Sequence, residues 1–374
     1  MVNLVETINI AIIGGGIVGL AVAAELSKTC KGVFLFEKNE KFGQETSSHN
    51  SGVIHSGIHY PPGSLKAVLC VKANPIVYDL CEKHGISCKK LGKLTVATSD
   101  EEVKELEHLM RQGQQNGVPD LKMLSGEQVK KLEPNVRVKQ ALLSPSTGIV
   151  EPDELMGYFY AKAQKNDVVF AFKTEVKSLN KTKDGYVLAG TSVNEKFEAK
   201  AKTVINCAGL HSDKIAKMAG LDIDKLSYRL HLCKGDYFRL KGEPPVKMLV
   251  YPLPKGGGLG IHLTPDMTGS IRLGPNSYYV NEVNYEVTSS ESEFREDVSR
   301  FLPLVKEREI VVDSAGVRPK LQGPNNGFRD FVIRHEEDRG LPNLINLIGI
   351  ESPGLTAAPA IAEHVREIYE NEIR

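Results

Sequence analysis

Residues 8–19 read I-N-I-A-I-I-G-G-G-I-V-G, and residues 33–37 read V-F-L-F-E. The first run predicts an apolar strand, a turn with Gly14, Gly16 and Gly19 in G-x-G-x-x-G register, and a helix from Ile17. Gly14 permits the tight turn, Gly16 lets backbone approach a pyrophosphate, and Gly19 lets the helix pack closely on the strand. At Ile17 and Val18 the helix start turns N–H groups and partial positive charge towards phosphate. Glu37, followed by Lys38, closes the next strand about 20 residues on, where a carboxylate accepts ribose hydroxyls. The glycines alone are a weak signal. Strand, helix, strand and acid in this order predict a dinucleotide-binding βαβ unit.

That unit does not separate NAD from FAD, so the decision falls on the segment beyond Glu37. Residues 43–57, G-Q-E-T-S-S-H-N-S-G-V-I-H-S-G, return towards the glycine turn without a regular βα unit. Their small residues suit a backbone laid against a large, flat cofactor. No second G-x-G-x-x-G occurs. Glycines 256–258 and Gly260 follow Pro252 and Pro254 in a turn and open no helix. A single, permanently held dinucleotide is expected.

The chain has 374 residues, room for about two domains. Its 47 Lys and Arg equal its 47 Asp and Glu, so no net field draws it to nucleic acid or anionic membrane. Cys30, Cys70, Cys81, Cys88, Cys207 and Cys233 form no C-x-x-C pair and read as reduced thiols, which suits the cytoplasm. The N-terminal apolar run is a strand and its helix, without the basic start of a signal peptide. No stretch approaches the roughly 20 apolar residues of a spanning helix. Peripheral contact at the inner membrane stays open, because an electron acceptor can reside there.

Further along, helices are predicted at 66–84 (kinked at Pro75), 100–116, 126–132, 152–165, 212–219, 290–301 and 360–371. Strands are predicted at 94–98, 121–124, 141–150, 168–171, 203–207, 228–240, 249–253, 260–263, 270–273, 310–318, 331–335 and 344–350, with a meander through 176, 187–189 and 197. Parallel βαβ elements at both ends and antiparallel strands between them give an α/β class, α+β overall.

Seven motifs in order carry a closer resemblance: H-N-S-G-V-I-H-S-G-I-H-Y (49–60), C-A-G-L-H-S-D (207–213), K-G-D-Y (234–237), Y-P-L-P (251–254), L-G-I-H-L-T-P (259–265), I-R-L-G-P-N (271–276) and A-G-V-R-P (315–319). With the glycine turn, the chain resembles the D-amino-acid oxidase (DAO) superfamily of FAD-dependent oxidoreductases, and within it the L-2-hydroxyglutarate dehydrogenases. The resemblance implies a Rossmann-like FAD-binding domain of the glutathione-reductase/DAO type, built from 1–88, 141–220 and 316–374. An antiparallel substrate domain would comprise 89–140 and 221–315. The implied reaction is oxidation of an L-2-hydroxy acid, L-2-hydroxyglutarate first, to the 2-oxo acid by hydride transfer to flavin N5. The electron acceptor would be oxygen, a quinone or an electron-transfer flavoprotein. Amine or amino-acid oxidation of the glycine/sarcosine oxidase kind and glycerol-3-phosphate oxidation stay open within the fold. A non-catalytic flavin-binding electron carrier is the alternative from a different class.

Such chemistry needs a carboxylate clamp, a base at the hydroxyl, and donors for negative charge. Arg318, between Gly316 and Pro319, offers a planar fork for the carboxylate. His55 and His262 are candidate bases. Lys234, Tyr251, Arg272 and Lys255 are candidates around the substrate, with a cation for a distal carboxylate among them. The expected cofactor contacts are the glycine turn, Glu37, Lys38, Thr46, Ser47, His49, Asn50, Ser51, Gly52, Val176, Cys207, Ala208, Gly209, Gly316 and Arg318. Gly349, Ser352, Pro353, Gly354, Leu355 and Thr356 join them at the C-terminal helix. That motif holds no Cys, so non-covalent FAD is expected. His49, His55 and His59 lack metal-site spacing, and no metal is expected.

Overall fold

Ile8–Ile13 and Val33–Phe36 are parallel strands joined through the helix Ile17–Leu26, in a computed structural model that describes residues 2–3, 8–253, 260–324 and 326–374. The helix is buried nearly all round, as a sequence apolar but for Glu25 near its end requires, and packs against Gly354–Ile368 and Pro152–Lys165. Burial of each of Leu20, Val22 and Leu26, all 0% exposed, contributes about 1.5–3 kcal/mol.

The first of two units comprises Met1–Ser48, Pro152–Leu232 and Arg318–Arg374. Its parallel strands run in the order Val169–Ala171, Val33–Phe36, Ile8–Ile13, Glu195–Asn206, Leu341–Ile348. Glu195–Asn206 serves two layers of topology. Its beginning closes an antiparallel meander with Gly185–Ser192 and Thr174–Thr182, while Val204 near its end lies between Ala11 and Leu344.

The second unit comprises His49–Glu151 and Cys233–Val317. Its main sheet includes His231–Leu240, Ile271–Leu273, Leu263–Pro265, Leu249–Pro252, Lys93–Ala97, Gln140–Ser144 and Lys122–Ser125. Leu94, Val96, Val250, Leu263 and Phe238 form its core with Phe294 and Val298 of the helix Glu291–Ser299. One junction departs from the expected antiparallel order: Leu249–Pro252 runs parallel to Lys93–Ala97, with Tyr251 opposite Thr95. These strands come from two separate stretches of chain, so no hairpin dictates their direction.

The unit boundaries also differ from those read in the sequence. Residues 49–88 and 141–151 belong with the second unit, because Gly148–Val150 pairs with both Val53–Ile54 and Cys88–Lys89. Asn74, on Leu65–His84, ties that region together by donating to the carbonyls of His55 and Ser146, each at 2.9 Å. Residues 221–232 belong with the first unit, where Tyr228 donates to Glu336 at 2.9 Å.

Local departures follow from proline. Leu65–His84 is a single helix that includes Pro75, the position of the expected kink. Gly354–Ile368 starts six residues before the predicted helix and accommodates Pro359. The second strand of the 249–273 region is Leu263–Pro265 rather than 260–263.

Candidate functional site

In the first unit, Ile8–Ile13 delivers the chain to Gly14, whose φ of +110° is open to glycine. A side chain there would run into the Cys207 carbonyl and the backbone of Ala208, and one at Gly19 into the Gly14 carbonyl. The turn is thus closed on two sides by backbone. Glu37 is fixed beside it: Oε2 accepts the Gly15 N–H at 2.7 Å and Oε1 the Asn39 N–H at 2.8 Å. Ser47 Oγ accepts the Ile17 N–H at 3.0 Å.

These groups line a recess of about 230 Å³ that also presents Gly16, Lys38, Thr46, Val176, Cys207, Ala208 and Gly209. Ile17, Val18 and Gly19 stand behind it as the first turn of the helix. Burial pushes the Cys207 thiol upward, which leaves it protonated and unreactive at neutral pH.

A polar cluster of Lys38, Glu45 and His211 lies at the same recess. Lys38 Nζ is 2.6 Å from Glu45 Oε1 and 2.8 Å from His211 Nε2. Burial raises the Glu45 carboxyl, but hydrogen bonds and charge from His211 and Lys38 outweigh it and hold the group at about 2. Glu45 follows Lys38 by seven residues, and the fold brings the distant His211 to them.

The second glycine-rich turn of this unit, at Gly349 with φ of +72°, packs on Leu321. It leads to Ser352 and to the helix that begins at Gly354, after Pro353, with no side-chain cap hydrogen bond. Leu355 and Thr356 belong to its first turn, so the motif itself forms the helix start. Arg318 is half-buried near the end of Ile310–Lys320, flanked by buried Val317 and Pro319.

An FAD fits the donors of the first unit. The Gly14 turn leaves backbone where a Cβ would intrude, Glu37 presents a fixed carboxylate, and two helix starts offer N–H groups.

In the second unit, residues 49–52 are held by their neighbours. The His49 ring stacks on Tyr285 with centroids 4.0 Å apart, and a side chain at Gly316 would meet the His49 carbonyl. Asn50 Oδ1 accepts the Gly52 N–H at 2.8 Å, and Ser51 donates to Tyr237 at 3.1 Å. Arg272 donates to the Asn50 carbonyl at 3.1 Å and pairs with Asp313 at 2.7 Å. Lys234 donates to the Glu286 carbonyl and lies 3.8 Å from Asp236. Both cations therefore have partners within the fold, and Lys255 lies outside the described residues.

The remaining candidates converge. The His262 ring lies on Tyr251, and Tyr251 Oη is 3.5 Å from Thr264 Oγ1. Lys93, which carries no motif in the sequence, places Nζ 3.0 Å from His59 Nε2 and 5.0 Å from the Tyr251 ring centroid. Burial, then the charge of Lys93, pulls His55 down to about 3. Burial, Lys93, His55 and His262 together hold His59 well below its ordinary value. Burial lowers Lys93 itself to about 7. The result is a group of neutral imidazoles around a buried amine. Among the described residues no cluster of three or more His, Cys, Asp and Glu is arranged to hold a metal ion, and no helix is long and apolar enough to cross a membrane.

A family model described as FAD dependent oxidoreductase (DAO) matches residues 9–368. The chain is 39% identical to the mitochondrial L-2-hydroxyglutarate dehydrogenase of Arabidopsis thaliana, over 96% of this chain and 83% of that one. It is 34% identical to the glycerol 3-phosphate dehydrogenase of Caloramator mitchellensis, over 97% of this chain and 74% of that one. Among solved structures, dithionite-reduced L-alpha-glycerophosphate oxidase from Mycoplasma pneumoniae with FAD bound matches with a TM-score of 0.86 at 29% identity, covering 98% and 95% of the two chains.

Proposed function

The chain belongs to the family of FAD-dependent oxidoreductases, and from that premise we propose that it oxidises L-2-hydroxyglutarate to 2-oxoglutarate. The relatives' names supply the substrate class, a hydroxyl-bearing anion. The observation that carries the reading to this chain is the cluster in the second unit, where Lys93 Nζ lies 3.0 Å from His59 Nε2 and over the Tyr251 ring on which His262 stacks, with half-buried His55 close enough to feel the charge of Lys93. Oxidation of a hydroxyl needs a base within reach of its proton, a step that amine oxidation does not need, and His55 and His262 are the imidazoles of this cluster placed to supply it.

FAD, held without a covalent link, supplies the two-electron acceptor for the Cα–H bond. Arg318 holds the carboxylate next to the reacting carbon through its planar fork. The His55 imidazole takes the hydroxyl proton, and Asn74 and Cys70 anchor that residue by donating to its carbonyl at 2.9 and 3.4 Å. His262, stacked on Tyr251, orients the hydroxyl. N–H groups at the start of Gly354–Ile368 favour negative charge that develops beside them.

Anaerobic mixing of the holoenzyme with L-2-hydroxyglutarate, glycine, sarcosine and glycerol 3-phosphate tests this reading. L-2-hydroxyglutarate should bleach the oxidised flavin band fastest. Bleaching by an amine or by glycerol 3-phosphate in its place overturns the assignment, and silence with all four favours the electron carrier. For the second half-reaction we propose oxygen, a quinone or an electron-transfer flavoprotein, distinguished by reoxidation rates with each. We propose a reducing compartment on the strength of the six free thiols. Cell fractionation decides between the cytoplasm, with or without contact at the inner membrane, and the mitochondrial location in the relatives' names.

A further inference from the structure

We propose that Lys93 and His59 together form the subsite for the second carboxylate of the substrate, and so select dicarboxylates over monocarboxylates. The proposal rests on the 2-hydroxy acid reading of the reaction.

Lys93 is 0% exposed in the strand Lys93–Ala97. Among the described residues no carboxylate lies within ion-pair distance of it. The groups that face it are His59 and Tyr251 in contact, with His55 and Cys70 close enough to feel its charge. His262 adds a third imidazole through His59. None of these is an anion at neutral pH: burial pushes the Cys70 thiol up to about 12 and Tyr251 upward as well. An ammonium buried without an anion is strongly unfavourable. Lys234, equally buried, shows the ordinary structural solution, a backbone carbonyl and a nearby carboxylate. Lys93 has neither.

Two further observations point to an oxygen-rich anion at this place. Thr95, two residues along the same face of the strand, is 0% exposed, and its hydroxyl makes no hydrogen bond. His59, 3.0 Å from Lys93 Nζ, is an exposed residue, so an anion can reach the pair from solvent. A carboxylate there accepts N–H groups from His59 and Lys93. The bound anion favours the charged amine, so a dicarboxylate binds together with a proton.

The test compares kcat/KM of wild-type and Lys93→Met holoenzymes for L-2-hydroxyglutarate and L-2-hydroxypentanoate, which lacks the second carboxylate. The ratio of the two should fall about 30-fold in the variant, as expected for a lost hydrogen bond to a charged group. An unchanged ratio overturns the subsite, whatever happens to the absolute rates. Should the variant fail to fold, glutarate added to wild-type holoenzyme at weakly alkaline pH should bind with uptake of about one proton, read with an indicator dye. Binding without uptake, or no binding, overturns the proposal. A wild type that L-2-hydroxyglutarate does not reduce overturns the reaction instead, so the two failures are distinct.

Discussion

The imidazole of His262 lies flat on the ring of Tyr251, with centroids 3.5 Å apart and planes 7° from parallel. The stack spans two adjacent antiparallel strand ends, since Val250 pairs with Leu263. Tyr251→Leu removes the aromatic face and should lower kcat up to about 10-fold, the worth of such a contact, with FAD retained. Tyr251→Phe should stay near wild type, because the contact to Thr264 is already at the limit of a hydrogen bond. Steady-state assays of both variants check the order.

Glu37 orients its carboxylate through the N–H groups of Gly15 and Asn39. Glu37→Gln places an amide donor opposite one of these donors. The FAD dissociation constant should rise about 10- to 100-fold, by the loss of a charge-assisted hydrogen bond. Fluorescence titration of the apoprotein with FAD measures it.

Arg318→Ala should raise KM and lower kcat, with kcat/KM down about 100-fold, while FAD stays bound. Loss of the flavin absorbance on gel filtration would instead assign Arg318 to cofactor retention.

Acid should destabilise the protein partly through His55. Its imidazole titrates at about 3 in the fold and at 6.5 as an ordinary histidine, so between these values the unfolded chain binds more protons. Its contribution is complete above about 6.5 and is lost as pH falls towards about 3. In His55→Gln the drop in Tm between about pH 6 and 4 should be shallower than in wild type, as thermal melts will show. For the same reason His55 should give no acidic limb in kcat/KM above about pH 5.

What the sequence revealed was what short spacing encodes. Gly14, Gly19 and Glu37 could be read because each turn, packing contact and acid lies within one βαβ unit. His55 and His262 stood out as residue types suited to proton transfer. Lys93 did not, because G-K-L-T-V reads as an ordinary strand entrance. Its depth comes from Leu249–Pro252 laid parallel beside it, a pairing that no local pattern announces. The unit boundary moved for a related reason: Val53–Ile54 is too short to be read as a strand, and its pairing with Gly148–Val150 ties residues 49–88 to the second unit. The early start of Gly354–Ile368 was hidden by Pro359, which reads as a helix opening rather than an interior residue.

The divided use of Glu195–Asn206 has a consequence for how the protein is made. Its meander half can close on neighbours already synthesised, but its other half keeps one open edge until Leu341–Ile348 leaves the ribosome. For that interval a bare strand edge flanks the nascent nucleotide fold, an invitation to chaperones and to self-association. A chain released before residue 348 should therefore aggregate rather than accumulate as a smaller flavoprotein.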